Sequence, residues 1–334
     1  MNAPRDVTVE DREDPTIIEP TDAVIRLAAT CICGSDLWPY RGAEPVDHTP
    51  MGHEYVGVVE EIGADVTTVQ PGDFVVGSFW ASDNTCEICQ AGYQSFCTQR
   101  VLMGTIGTQA TKARIPLADG TLVKTPGQPD ADLIPSLMAA SDVLGTGWFA
   151  AVAAEAGPGK TVAIVGDGAV GLCAVIAAKQ LGAERIIVSS RHADRQALAR
   201  EFGATDVLEE RGDDFIAKVQ ELTDGLGAHS TVEAVGTQGA MDQAIGATRP
   251  GGHLGFVGVA HDLTITGDTL FMCGVSIHGG PAPVRRFLPE LIQLIWDRKI
   301  DPGKVFDLTL PLDQAAEGYK AMDERRATKV LLTL

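Results

Sequence analysis

No apolar run in this chain of 334 residues reaches the roughly 18–20 residues that a membrane-spanning helix needs. A basic excess is also missing: Lys and Arg total 26 against 45 Asp and Glu, for a formal net charge of −19. Nucleic acid calls for a basic face and anionic membranes attract cationic ones, so this balance argues against both as partners. The opening residues Met1-Asn2-Ala3-Pro4-Arg5-Asp6 lack the apolar core of a secretory signal, which gives the expectation of a cytoplasmic protein. Internal repeats and low-complexity tracts are absent too. An even set of cysteines is lacking, since there are seven. Three of them fall as Cys86-x-x-Cys89 followed by Cys97, a spacing that favours metal over disulfides in a large chain without an export signal.

What remains is an ordinary globular balance, 45% hydrophobic and 21% charged, in a chain too long for one small core, so two domains are expected. Up to about residue 143, short β-branched runs such as Ala23–Leu27, Tyr55–Ile62 and Phe74–Val76 alternate with turn signals such as Pro71-Gly72-Asp73. This predicts an irregular, mostly β domain. The texture then changes. Strand patterns at Thr161–Val165, Ile186–Ser189, Ser230–Val235 and Gly255–Val259 alternate with helical ones at Ala169–Leu181, Asp194–Phe202 and Gly239–Thr248. Such alternation predicts an α/β domain with a doubly wound parallel sheet and right-handed crossovers. A helix over Val284–Asp297 and extended segments ending at Val330–Leu334 form a tail too short to be a domain, expected to rejoin the first one. The division predicted is 1–143 with 280–334 for one domain and 144–279 for the other.

Gly166-Asp167-Gly168-Ala169-Val170-Gly171 follows an apolar strand and opens an Ala-rich helix. In that context G-x-G-x-x-G reads as a dinucleotide site. The glycines let backbone N–H groups approach a pyrophosphate at the helix N-terminus. An acid on the ribose 2′-hydroxyl is usual about 20 residues further on. Here the strand end reads Ser189-Ser190-Arg191-His192. Hydroxyls, a guanidinium and an imidazole suit a 2′-phosphate, so NADP is expected over NAD, the alternative being a solvated Arg191 with NAD accepted.

The densest chemistry lies in Cys33-Gly34-Ser35-Asp36 and Gly52-His53-Glu54. Thiolate and imidazole together suit a four-coordinate zinc that keeps one position open. With the nucleotide loop, these motifs resemble the zinc-dependent medium-chain alcohol dehydrogenases over nearly the whole chain. The resemblance implies a GroES-like catalytic domain beside a Rossmann domain. It implies a catalytic zinc on Cys33, His53 and Asp142, with Glu54 as a further ligand or outer partner and Asp36 orienting the histidine. Ser35 would exchange the hydroxyl proton, Thr146 would pack on the nicotinamide and Lys329 would contact the pyrophosphate. A second, structural zinc would sit on Asp83, Cys86, Cys89 and Cys97, with Asp83 where relatives carry cysteine; the alternative is a metal-free loop.

Two departures accompany the likeness. Trp38 stands where many relatives carry a relay histidine, and an indole N–H can only donate; His48 is a nearby candidate. The strand that usually opens the chain is not evident before Val7–Ile18. Cys31, Cys173 and Cys273 are expected to be packing residues, and Trp38, Trp80 and Met272 to line a substrate pocket. The function implied is interconversion of small alcohols with aldehydes or ketones by hydride transfer with NADP(H), in a homodimer or homotetramer. A polyol or aldehyde dehydrogenase using NAD(H) and a non-catalytic nucleotide-binding relative are the alternatives.

Overall fold

The computed structural model describes residues 1–260 and 262–334. These divide into two compact units, Met1–Gly145 with Pro283–Leu334, and Thr146–Ala282. In chain order the first unit forms β1 (Ala23–Ile32), β2 (Tyr55–Ile62), β3 (Phe74–Gly77), β4 (Trp80–Ala81), β5 (Val101–Leu102), β6 (Lys112–Ile115) and β7 (Leu122–Lys124). The second forms β8 (Thr161–Val165), β9 (Arg185–Ser189), β10 (Asp206–Leu208), β11 (Ala228–Glu233), β12 (Thr248–Phe256) and β13 (Ser276–Gly279). The chain then returns to the first unit with β14 (Leu308–Pro311) and β15 (Val330–Thr333).

In the first unit the sheet order is β14-β15-β1-β2-β3-β7, with β6 also paired to β1. The Ala23–Leu27 run predicted the start of β1, but the strand continues to Ile32. Ala23, Ile25 and Leu27 pack in one core with Tyr55, Val59, Val75 and Ile115. Arg26 points out beside Glu60 at 3.3 Å. Past Ala29 the strand is buried throughout, which is why its sequence there loses polar alternation. A register shift between Leu27 and Ala29 against β2 is the kind of bulge that re-aims the side chains beyond it. Before β1 the described residues contain no strand, only an isolated bridge from Ala3 to Asp6.

The second unit has the order β10-β9-β8-β11-β12-β13, with every pairing parallel. This is the order of a Rossmann sheet, with the crevice at the ends of β8 and β11. The helix Ala169–Gln180 after β8 is buried from Gly171 to Ala178, and a helix apolar on every side belongs in a core. The helix Ala193–Phe202 ends at Gly203, whose φ of 120° permits the reversal. β12 begins at Thr248, earlier than the Gly255 expected. Its pairing with β11 is irregular between Ala228 and Ser230. Among the described residues no single helix is long and apolar enough to cross a membrane.

Candidate metal centre and nucleotide loop

Three connections converge in the first unit. Cys33 follows β1, His53 and Glu54 precede β2, and Asp142 follows the helix Ile134–Ala140. Ser141 fixes the last of these: its Oγ accepts from Tyr55 N at 2.9 Å and donates to the Gly77 carbonyl at 2.6 Å. Gly52 sets the approach of the histidine, with φ at 94° and a Cβ there only 2.5 Å from Gln109 N. One donor atom from each of Cys33, His53, Glu54 and Asp142 lies within 4.8 Å of the others. His53 Nε2 is 3.4 Å from Asp142 Oδ2, and Cys33 Sγ is 3.6 Å from that same oxygen.

Asp36 stands behind the histidine, with Oδ1 at 3.4 Å from His53 Nδ1. Its Oδ2 accepts from Cys33 N at 3.0 Å and from Gln109 Nε2 at 3.2 Å. Gln109 is held in turn by Tyr319, whose hydroxyl donates to Oε1 at 2.9 Å. Burial pushes the Cys33 thiol above its ordinary range, helped by the charges of Glu54 and Asp142. Burial also raises Glu54, with Lys329 opposing. Desolvation disfavours charge on His53, but Asp36, Cys33 and Asp142 outweigh it and raise the imidazole well above its usual value. Two carboxylates and a thiol crowded around an imidazole call for a compensating cation. Sulfur, nitrogen and oxygen donors in this number fit zinc.

Not every expected residue joins this cluster. Ser35 is half-buried in the turn closed by Asp36 N on the Cys33 carbonyl at 3.1 Å. Trp38 lies in the short helix Leu37–Tyr40 and is half-buried. His48 is exposed, its ring nitrogen 3.1 Å from Asn2 Oδ1, and so lies apart from the centre. Lys329 has a partner that the sequence does not announce: its ammonium is buried on Glu54, at 3.0 and 2.8 Å from the two carboxylate oxygens. Cys31 is more than packing, since its Sγ donates to Glu54 Oε2 at 2.8 Å. Met272 and Cys273 lie at the exposed end of the helix Gly267–Met272, Cys273 being only half-buried. Cys173 is buried as expected.

A second cluster gathers Asp83, Cys86, Cys89 and Cys97, again with donor atoms within 4.8 Å of one another. Here the backbone fixes the donors. Asp83 Oδ1 accepts from the N–H groups of Thr85 and Cys86 at 2.8 and 3.0 Å. Cys97 Sγ accepts from those of Asp83 and Gln99, both at 3.4 Å. Burial works against the Asp83 charge, but the amides of Cys86 and Thr85 bring its carboxyl down to about 2. Amides of Thr98 and Cys89 lower the Cys86 thiol to about 7. All seven cysteines are free, and this set could hold a second zinc through three sulfurs and an oxygen.

In the second unit, Gly166 has φ of 119°, and a Cβ on Gly171 would lie 2.0 Å from the Gly166 carbonyl oxygen. Only glycine closes this loop onto the helix. A Cβ on Gly168 would meet nothing within 4 Å, so that glycine leaves open space at the helix N-terminus. Ala169 and Val170 form the first turn there. This open, N–H-lined loop fits a dinucleotide pyrophosphate. At the end of β9 the buried Ser190 donates its hydroxyl to Asp167 Oδ2 at 2.7 Å, and Arg195 Nη1 reaches Asp167 Oδ1 at 3.2 Å. Arg191 is exposed and His192 half-buried. Thr146 is buried at the start of this unit. Sequence reasoning passed over Asp167, which stands at a variable position of the glycine pattern, and Arg195, which lies inside a helix.

With this geometry in view, likeness to known proteins becomes informative. The alcohol dehydrogenase GroES-like domain matches residues 19–127 and the zinc-binding dehydrogenase domain residues 169–297. Zinc-type alcohol dehydrogenase B of Aspergillus flavus is 35% identical over 99% of this chain and 79% of its own. A probable zinc-binding alcohol dehydrogenase of Mycobacterium tuberculosis is 35% identical over 98% of this chain and 85% of its own. Among solved structures, the alcohol dehydrogenase from Thermus sp. ATN1 superposes with a TM-score of 0.91 at 30% identity, covering 100% of this chain and 98% of that one.

Proposed function

We propose, for a chain that belongs to the zinc-dependent medium-chain alcohol dehydrogenases, that it interconverts alcohols with aldehydes or ketones by hydride exchange with NADP(H). The observation that carries this reading is the buried cluster of Cys33, His53, Glu54 and Asp142 in the first unit. Cys33, His53 and Asp142 would hold zinc, and zinc bound there supplies Lewis acidity toward a substrate oxygen. Asp36 engages Nδ1 of His53 and thereby leaves Nε2 for the metal. Ser35, two residues beyond the ligand cysteine, exchanges the hydroxyl proton of the substrate. Trp38 cannot pass that proton on, because indole has no acceptor nitrogen, so the proton would leave Ser35 by a route that does not use position 38. Asp83, Cys86, Cys89 and Cys97 would hold a structural zinc.

In the second unit the loop from Gly166 to Gly171 would hold the pyrophosphate at the helix N-terminus, and Thr146 would pack on the nicotinamide. Ser190, Arg191 and His192 favour a 2′-phosphate by charge and hydrogen bonding. One observation supports NAD(H) as a second reading: the Asp167 carboxylate lies against Ser190, where a ribose hydroxyl could find an acceptor. The cytoplasm is the expected compartment. A homodimer or homotetramer is the expected assembly, for which the open sheet edge at β13 is an available surface.

A panel of primary alcohols, secondary alcohols, polyols and aldehydes, each run with NADP and with NAD, tests the reading. Turnover of alcohols or carbonyl compounds with NADP preferred is expected. Preference for polyols with NAD would favour the second reading. Absence of turnover from zinc-replete protein would leave a non-catalytic nucleotide binder.

A further inference from the structure

Cys31 lies outside the candidate ligand set, yet sheet register brings it to the metal centre. β1 pairs with β2 through Thr30 and Tyr55, and with β15 through Ile32 and Val330. One residue beyond these pairs, Glu54 comes beside Cys31, and Lys329 comes beside the end of β1. The three side chains meet in full burial, at 1% exposure or less for Cys31 and Glu54 and 2% for Lys329. Cys31 Sγ donates to Glu54 Oε2 at 2.8 Å, and Lys329 Nζ donates to Oε1 at 3.0 Å and to Oε2 at 2.8 Å. A carboxylate offers about four lone-pair sites. Three are occupied by these donors, and both sites on Oε2 are closed. Glu54 is thus within reach of the other candidate ligands but tied by Cys31 and Lys329.

We infer that Cys31 is a positioning residue of the metal centre: its thiol, together with Lys329, holds the Glu54 carboxylate outside the coordination sphere so that the fourth position stays open for substrate oxygen. The inference rests on the reading that this cluster holds zinc. A hydroxyl at position 31 would keep the donor, whereas a methyl or isopropyl group would release Oε2 and let Glu54 swing onto the metal.

The test uses the full-length protein with cobalt(II) in place of zinc, compared by visible spectrum and by the rate at which a chelator extracts the ion. Difference spectra against wild type cancel the contribution of the Asp83–Cys97 lobe. For Cys31→Ala the expected result is a shift of the d–d bands, marking Glu54 as an added carboxylate ligand, and extraction slowed by about tenfold, the lower end of what outer-shell partners are worth. Sulfur-to-cobalt charge transfer should not change, and Cys31→Ser should return the wild-type spectrum. If Cys31→Ala does not fold, Cys31→Val, which also lacks a donor, gives the same comparison. Unchanged d–d bands and extraction would overturn the inference. Loss of charge-transfer intensity would overturn it in another way, by making Cys31 a ligand. A wild-type spectrum unaffected by His53→Ala would remove the metal reading itself, and this inference with it.

Discussion

The lobe around Asp83–Cys97 holds two of its four donors, Asp83 and Cys97, with nearby backbone amides, whereas the centre at Cys33, His53, Glu54 and Asp142 is fixed by side chains drawn from across the first unit. Cys33 and Asp142 are 109 residues apart; Asp36, Cys31 and Ser141 support them from their own segments, and Gln109, Tyr319 and Lys329 come from others. A local lobe needs only its own loop to fold. The distributed centre exists only once β1, β2 and β15 are in register, and its charges are desolvated as it forms. The lobe is therefore suited to a stabilising role and the buried centre to chemistry, where a low-dielectric setting strengthens each interaction.

The sharpest way to break this contrast is to remove one donor from each cluster. His53→Ala should cost turnover by about 10³-fold or more, the scale of losing electrostatic stabilisation at a reacting oxygen, while thermal unfolding changes little. Cys89→Ala should do the reverse, lowering the unfolding temperature and leaving kcat of the surviving folded enzyme near wild type. Metal analysis should find two zincs per chain in wild type and one in either variant. One zinc in wild type would make the Asp83 lobe a metal-free loop and end the comparison.

Within the centre, Ser35→Ala should reduce kcat by about 10²-fold through loss of the exchanging hydroxyl, with zinc content unchanged. Normal turnover would take Ser35 out of the reaction. Moving to the second unit, Arg191→Asp should shift the NADP-to-NAD preference toward NAD by about tenfold, near the worth of one charge-assisted hydrogen bond. An unmoved ratio would transfer the discrimination to the Asp167, Ser190 and Arg195 cluster.

The smallest effect concerns thiol reactivity in zinc-free protein, read by mass spectrometry after brief alkylation. Cys86, lowered to about 7, forms thiolate as pH rises through neutrality, so its labelling should climb between mildly acidic and mildly basic buffer. Cys33, raised by burial, should stay slow across the same range. Equal labelling of the two would contradict the difference in their surroundings.

Much of this architecture is written locally. The apolar run Tyr55–Ile62 forms the strand it suggests, and the glycine pattern after Val165 opens the helix Ala169–Gln180. Those signals are short-range, a period of two or a run ended by glycine. The start of β12 is hidden in the sequence because Pro250, Gly251 and Gly252 look like a turn; they belong to an irregular stretch of a strand, with Gly251 at φ of 72°. The contacts of Cys31 and Lys329 with Glu54 are illegible in the sequence for a different reason. Their partner is chosen by cross-strand register between segments far apart in the chain, which composition does not encode. The same holds for Asp167, whose contact with Ser190 depends on two parallel strands lying side by side.

The central claim is that an open metal position in the first unit is what makes alcohol oxidation possible. It is tested most directly by following alcohol-dependent reduction of NADP through extraction of the metal by a chelator and its replacement. Turnover should fall to background as the ion at His53 is removed and return on adding zinc, with the fold retained throughout. Turnover that survives complete removal of that ion would contradict it.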